Sequence, residues 1–146
     1  MKLILLAACE KAISDAETRA VSLITVMTRA EVRSRVTQEP PAVENMPPNA
    51  IIPMTWSVVA LLTPTPGDIG PQFIQQVEVF WPNGDVFVKG SLPFKFVNTF
   101  AHPNIVNFVG FPAGQAGDVV IHMWIEQDGK RVLENSQYSI LVAHTT

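Results

Sequence analysis

The clearest structural pattern in the chain is the stretch from Val119 to Leu133, VVIHMWIEQDGKRVL. Alternation at period two places one set of apolar side chains on a single strand face: Val119, Ile121, Met123 and Ile125. The opposite face is mixed: Val120, His122, Trp124 and Glu126. Asp128-Gly129 tolerates the positive φ angles of a two-residue turn, so this stretch predicts an antiparallel hairpin.

A second hairpin is predicted around Trp81-Pro82-Asn83-Gly84-Asp85, which joins two short apolar runs, 77–80 and 86–88. All twelve prolines and eight glycines follow residue 39, and they leave little room for a long helix there. Between these breaks lie segments rich in Val, Ile, Phe, Trp and Thr, which favour strands. The predicted strands are Leu3–Cys9, Val21–Thr28, Met54–Leu62, Phe73–Trp81, Asp85–Lys89, Ile105–Phe111, Val119–Gln127, Arg131–Glu134 and Gln137–Ala143.

Several short antiparallel strands separated by turns predict an all-β fold, an antiparallel β-sandwich of about eight to nine strands, Ig-like or jelly-roll-like. A length of 146 residues predicts a single β-sandwich domain over residues 1–146. Residues 38–53 and 63–71 are predicted to be irregular connections. The glycine-rich segment 110–117 is predicted to carry the chain from one sheet to the other.

Residues 14–36 fit two interpretations. Ser14 and Glu17 have the spacing of a helix capping box, so a short helix within 14–36 is one alternative. The density of β-branched residues in 21–26, and the alternation over 31–36, favour strand–turn–strand, which we prefer.

Composition narrows the classes of function. The chain is 47% hydrophobic and 16% charged, with formal net charge −3, whereas soluble domains average about 25% charged residues. Basic residues are not in excess, so general nucleic-acid binding is not expected. No apolar run is long enough to cross a membrane. The opening apolar run is too short for a signal peptide, so the lipoprotein interpretation of Leu6–Cys9 is disfavoured and a cytoplasmic protein is expected.

No catalytic motif is present, and no cofactor is predicted. His102, His122 and His144 lack metal-ligand spacing with one another or with Cys9, which is expected to be a buried and inert thiol. We therefore predict that the protein is not an enzyme. Arg29, Arg33 and Arg35 form either an anion-binding patch or a charged edge strand, and we favour the edge strand because Glu31 interrupts the run.

The low charge content predicts apolar surface that is buried against a protein partner or in a homo-oligomer. The residues proposed for contact are Trp81, Phe94, Phe96 and Trp124. The sequence thus predicts a non-enzymatic binding or assembly module that acts through an apolar sandwich face or an exposed strand edge. Two alternatives remain open: a structural component of a larger particle, such as a phage-like decoration or tail-associated protein, and a carbohydrate-binding sandwich that uses Trp81 or Trp124 for stacking.

Several segments, taken in their order along the chain, resemble those of a known group of proteins. They are 5–10 (LLAACE), 21–24 (VSLI), 77–80 (VEVF) before 82–84 (PNG), Gly117 before 121–130 (IHMWIEQDGK), and 138–142 (YSILV). In these the chain resembles a family of small uncharacterised bacterial proteins, known as a domain of unknown function, for which β-sandwiches are expected. The resemblance implies a fold and no catalytic residue.

Overall fold

The computed structural model of the protein describes residues 1–18, 20–33 and 47–145, and their regular structure is almost entirely β. One short 3-10 turn, Pro66–Asp68, interrupts the second predicted connection. The strands are β1 (Lys2–Ser14), β2 (Val21–Val26), β3 (Arg29–Arg33), β4 (Ile51–Thr63), β5 (Gln72–Phe80), β6 (Val86–Lys95), β7 (His102–Pro112), β8 (Gly117–Gln127) and β9 (Lys130–Thr145).

The strands form two sheets that pack face to face. The four-stranded sheet has the order β2-β1-β4-β7, and the five-stranded sheet has the order β3-β9-β8-β5-β6 and is curled. Neighbouring strands are antiparallel except for β3, which runs parallel to β9. The predicted all-β fold with two packed sheets is confirmed, and the parallel pair is a feature that the sequence pattern did not indicate.

The core lies between the sheets and is built from alternate residues of the central strands. In β4 the inward side chains are Trp56, Val58, Ala60 and Leu62, and in β8 they are the apolar set predicted from the sequence. Trp56 is fully buried, and its indole Nε1 donates a hydrogen bond to the Gly110 carbonyl oxygen at 2.8 Å. Its ring stacks on Phe108 with centroids 4.9 Å apart. An indole with a satisfied N–H can be buried at no polar cost.

Both predicted hairpin turns are confirmed. Asp128 and Gly129 have φ angles of 51° and 77°, and they join β8 to β9. Gly84 has a φ angle of 95°, and the Trp81 N–H donates to the Asp85 carbonyl oxygen across the other turn.

The alternative of a helix within 14–36 is wrong for the part of that segment that the structure describes. β1 continues to Ser14, and the residues after it form a turn rather than a helical start. Asp15 Oδ1 accepts the backbone N–H groups of Glu17 and Thr18, at 2.8 and 2.9 Å. These hydrogen bonds hold the pKa of the Asp15 carboxyl below its usual value. The short polar side chain competes with helix formation, as such residues commonly do at turns.

Several strand boundaries differ from the prediction. β4 begins at Ile51, so Pro53 lies inside a strand; it sits where the pairing register with β7 shifts, which accommodates a residue without an N–H donor. β6 continues to Lys95. The two predicted strands at 131–134 and 137–143 are a single strand, β9. Its pairing register with β8 shifts on either side of Ile125, and this irregularity lies where the sequence predicted a break between two strands. Most of the predicted connection 38–53 lies outside the described residues.

The connection from β7 to β8 passes from the four-stranded to the five-stranded sheet, as predicted for segment 110–117. Gly114 is buried in this connection, and a Cβ atom there would collide with the Pro47 carbonyl. On the other side of the molecule the chain changes sheet between β2 and β3. There the Tyr138 hydroxyl donates to the Met27 carbonyl oxygen at 2.8 Å, and burial raises the pKa of Tyr138.

One polar contact bridges the two sheets inside the core. Asn104 of β7 donates through Nδ2 to Gln75 Oε1 of β5 at 2.9 Å, and both side chains are buried. Gln75 Nε2 has no hydrogen-bond partner among the residues that the structure describes. A buried amide with an unpaired donor costs stability, and the cost grows if its remaining partner is lost.

We predict that Asn104→Leu destabilises the protein by about 1–3 kcal/mol, because it leaves the whole Gln75 carboxamide buried and unpaired. The double variant Gln75→Met/Asn104→Leu is expected to recover most of that loss, since it removes both polar groups. Urea unfolding of the wild type, the single variant and the double variant measures the difference. A neutral single variant would contradict the bridge.

Cys9 lies in β1 and is fully buried. Burial raises the pKa of its thiol, and a backbone hydrogen bond from Lys11 opposes that shift only in part. Because the thiolate is the reactive form, a buried thiol with a raised pKa reacts slowly.

We predict that Cys9 does not react with a water-soluble disulfide reagent in the folded protein and reacts stoichiometrically after denaturation. As the chain has one cysteine, the released chromophore reports this residue alone. Rapid labelling of the folded chain would show that β1 opens readily around Cys9.

Candidate functional site

Two of the four residues proposed for contact belong to the core, and this corrects the sequence interpretation. Phe94 is 9% exposed and Phe96 is 1% exposed. Their rings pack edge to face on each other at 5.3 Å and both contact Phe73. Phe94 and Phe96 are two positions apart and so lie on one face, but that face points inward and leaves them little surface to offer a partner.

The two tryptophans are half-buried and lie apart. Trp81 stands at the β5–β6 turn with its ring edge against Phe87 at 5.2 Å. Trp124 is on β8 opposite Gln76 of β5. Gln76 and Trp81 are five positions apart along the chain, or roughly 17 Å at the rise of an extended strand. The four residues therefore do not form one surface.

The outward face of the five-stranded sheet carries a polar row around Trp124. The indole Nε1 of Trp124 donates to Glu126 Oε1 at 2.8 Å, and the Arg131 guanidinium lies 4.3 Å from the centre of its ring. Glu126 Oε2 accepts from Gln76 Nε2 at 3.4 Å, and the Ser91 hydroxyl donates to Gln76 Oε1. These side chains satisfy one another across four strands, so this face is not the apolar contact surface that the composition predicted.

The outward face of the four-stranded sheet is buried at its centre. Strand alternation points Ser57 and Val59 of β4 outward, since Trp56 and Val58 point into the core. Ser57 and Val59 are nevertheless buried. The neighbouring positions on β1, Ala7 and Cys9, are buried as well. Toward the start of β4 the same face is open, and Ile51 and Val109 are 52% and 83% exposed there.

The remaining candidate is the outer part of β1 together with β2. β1 pairs with β4 from Lys2 to Cys9, and from Cys9 onward it pairs with β2 instead. Residues 9–14 and 21–26 thus form a two-stranded extension of the sheet, which we call the hairpin ribbon. Two-stranded ribbons are marginally stable alone, so packing against something else favours their persistence.

One face of the hairpin ribbon is exposed and carries three apolar side chains beside Lys11. Ile13 pairs with Ser22, Ile24 pairs with Lys11, and directly paired residues share a face. Ile13, Ile24 and Val26 are 46%, 44% and 47% exposed. Thr25 has a φ angle of 54°, which bends β2 between Ile24 and Val26.

The edges of the two sheets are protected to different extents. β6 carries Pro93 and lysines, β7 carries Pro103, and β3 carries Arg29 paired with Glu31 at 3.4 Å. β2, with the sequence VSLITV, contains no charge and no proline, and among the described strands it pairs with β1 alone. Lysine and proline are common protections against edge pairing, so β2 is the least protected edge.

The tip of the hairpin ribbon lies beside the β6–β7 connection. Glu17, Thr18 and Ala20 share an open cleft of about 290 Å³ with Phe100 and Ala101. Phe100 is exposed, unlike Phe94 and Phe96. The ribbon residues were missed as contact candidates; the absence of charge and proline from 21–26 was the available signal.

The other predicted groups are dispersed. His102 stacks on Phe94, His122 lies 4.9 Å from the Phe80 ring, and His144 contacts the Ala113 carbonyl. Within residues 1–18, 20–33 and 47–145, no three His, Cys, Asp or Glu side chains are grouped to hold a metal ion. Among the same residues no helix is long and apolar enough to span a membrane. β3 is an edge strand, while Arg35 and the side chain of Arg33 lie outside the described part.

Comparison of the sequence with models of known protein families finds no match, and comparison with curated proteins finds none either. The resemblance to a family of small bacterial β-sandwich proteins stays a prediction.

Proposed function

We propose that this protein is a non-enzymatic binding or assembly module and that the hairpin ribbon makes its contact with a protein partner. The partner to be considered first is a second copy of the chain. The observation that carries the proposal is the ribbon's exposed face, on which three apolar side chains lie beside Lys11, together with an edge strand without charge or proline. Main-chain pairing along β2 would supply affinity, and burial of Ile13, Ile24 and Val26 would add to it.

The two sandwich faces have less support. At the centre of the outward face of the four-stranded sheet Ser57 and Val59 are buried, and the outward face of the five-stranded sheet satisfies polar groups internally around Trp124. Of the two routes to contact that the sequence left open, the strand edge therefore has the better support. A structural component of a larger particle would use the same contact repeatedly, and it remains the second interpretation.

A carbohydrate-binding role has weaker support. A sugar ring stacks on an open aromatic face, and Arg131 covers one face of Trp124. Trp81 packs against Phe87 and stands away from the polar row that could hydrogen-bond a sugar.

We also infer that the sandwich is Ig-like rather than jelly-roll-like. The order β9-β8-β5-β6 corresponds to strands G-F-C-C′ of the immunoglobulin arrangement, and β4 and β7 correspond to strands B and E. On this interpretation the hairpin ribbon is an addition at the strand-B side of the four-stranded sheet.

A cytoplasmic location is proposed on the composition alone.

We predict that the wild-type chain, of 16.0 kDa, forms a dimer or larger oligomer at micromolar concentration. Ile24→Lys is expected to lower the affinity of this association by about tenfold or more, because a lysine at an edge strand opposes pairing. Light scattering coupled to size-exclusion chromatography measures the mass.

Val86→Lys is the matched control. Val86 is 45% exposed, close to Ile24, and it lies on β6 at the far edge of the five-stranded sheet. It is expected to leave the oligomer unchanged. A monomeric wild type would contradict self-assembly, and an oligomer insensitive to Ile24→Lys would exclude the ribbon as its contact.

A further inference from the structure

The β5–β6 turn contains the most chemically labile peptide in the chain. Asn83 is the one asparagine that glycine follows directly. In such a pair the backbone nitrogen of the glycine, after losing its proton, attacks Cγ of the asparagine. A C–N bond forms, the side-chain nitrogen leaves as ammonia, and a five-membered succinimide results. Water then opens the ring to aspartate or isoaspartate.

The attacking nitrogen is engaged in the folded turn. The Gly84 N–H donates to the Trp81 carbonyl oxygen at 2.9 Å. Removal of its proton and its approach to Cγ both require this hydrogen bond to break, which makes ring closure less favourable than in an open chain.

The electrophile is held at both ends. Asn83 Oδ1 accepts the backbone N–H of Asp85 at 3.0 Å, and Asn83 Nδ2 donates to Asp85 Oδ2 at 3.1 Å. Rotation of Cγ toward the Gly84 nitrogen breaks both contacts. The carboxamide is therefore fixed by the same residue that ends the turn.

A third set of contacts fixes the turn to the body of the protein. The Asn83 N–H donates to Gln115 Oε1 at 3.1 Å, and Gln115 Nε2 donates to the Pro48 carbonyl oxygen at 3.2 Å. Gln115 belongs to the connection between β7 and β8, so opening of the turn also disturbs a contact that is distant in sequence.

We propose that Asn83-Gly84 is a latent deamidation site that the folded turn keeps closed. Modification proceeds from the open turn and is irreversible once ammonia has left. The product places a carboxylate where Nδ2 had donated to Asp85, so two like charges face each other and the turn cannot re-form as it was. Isoaspartate would in addition lengthen the backbone within the hairpin.

The test compares deamidation of residue 83 in the folded chain and in the chain unfolded by guanidinium chloride, in one mildly alkaline buffer, by mass spectrometry of the peptide that contains it. We expect the folded chain to react slower by about tenfold or more, since several hydrogen bonds must break first. Equal rates in the two states would overturn the proposal.

Asp85→Ala and Gln115→Ala then test the contacts. For each variant, the deamidation rate of the folded chain is divided by the deamidation rate of the same variant when unfolded. Both are expected to raise the ratio severalfold, and Gln127→Ala in the other hairpin is expected to leave it unchanged. Circular dichroism confirms folding, and Gln115→Ala alone suffices if Asp85→Ala does not fold. An unchanged ratio in a folded Gln115→Ala variant would overturn the role of the turn's anchoring.

Discussion

The structure depends on the burial of alternating apolar side chains between two sheets. Full burial of a side chain such as valine or leucine contributes roughly 1.5–3 kcal/mol, and β4 and β8 each supply such residues at every second position. The burial of Trp56 adds a directional element, because its indole N–H requires an acceptor and finds one at Gly110 on the neighbouring strand. Non-directional burial thus brings the sheets together, and a few polar contacts fix how they meet.

Those polar contacts lie where the chain changes sheet or where the sheets face each other. Tyr138 fixes the crossing from β2 to β3, and Asn104 with Gln75 bridges the two sheets inside the core. The amide bridge leaves one donor unpaired, so an apolar pair of similar shape would be at least as stable. The amide bridge favours one packing of the two sheets over others, because a shifted packing would leave both amides without partners.

The surface follows from the same constraints. The central strands have neighbours on both sides, and the outward polar groups of the five-stranded sheet are satisfied across strands. Beyond Cys9, β1 no longer pairs with β4, so the two strands of the hairpin ribbon pair only with each other among the described strands. The apolar side chains of Ile13, Ile24 and Val26 are exposed on it, and the proposed contact is located there rather than at the tryptophans.

The sequence by itself determined most of the strands, though not all their bounds, and the two hairpin turns, because period-two alternation and the φ angles that Asn-Gly and Asp-Gly tolerate are local properties. The spacing of two positions between Phe94 and Phe96 is likewise local, and it indicates one shared strand face. The tertiary structure alone decided that this face points inward, that β3 pairs in parallel with β9, and that the edge at β2 is the least protected. Alternation tells which residues lie together on a face, but which face is buried depends on the sheet packed against it, and on partners that are distant in the chain.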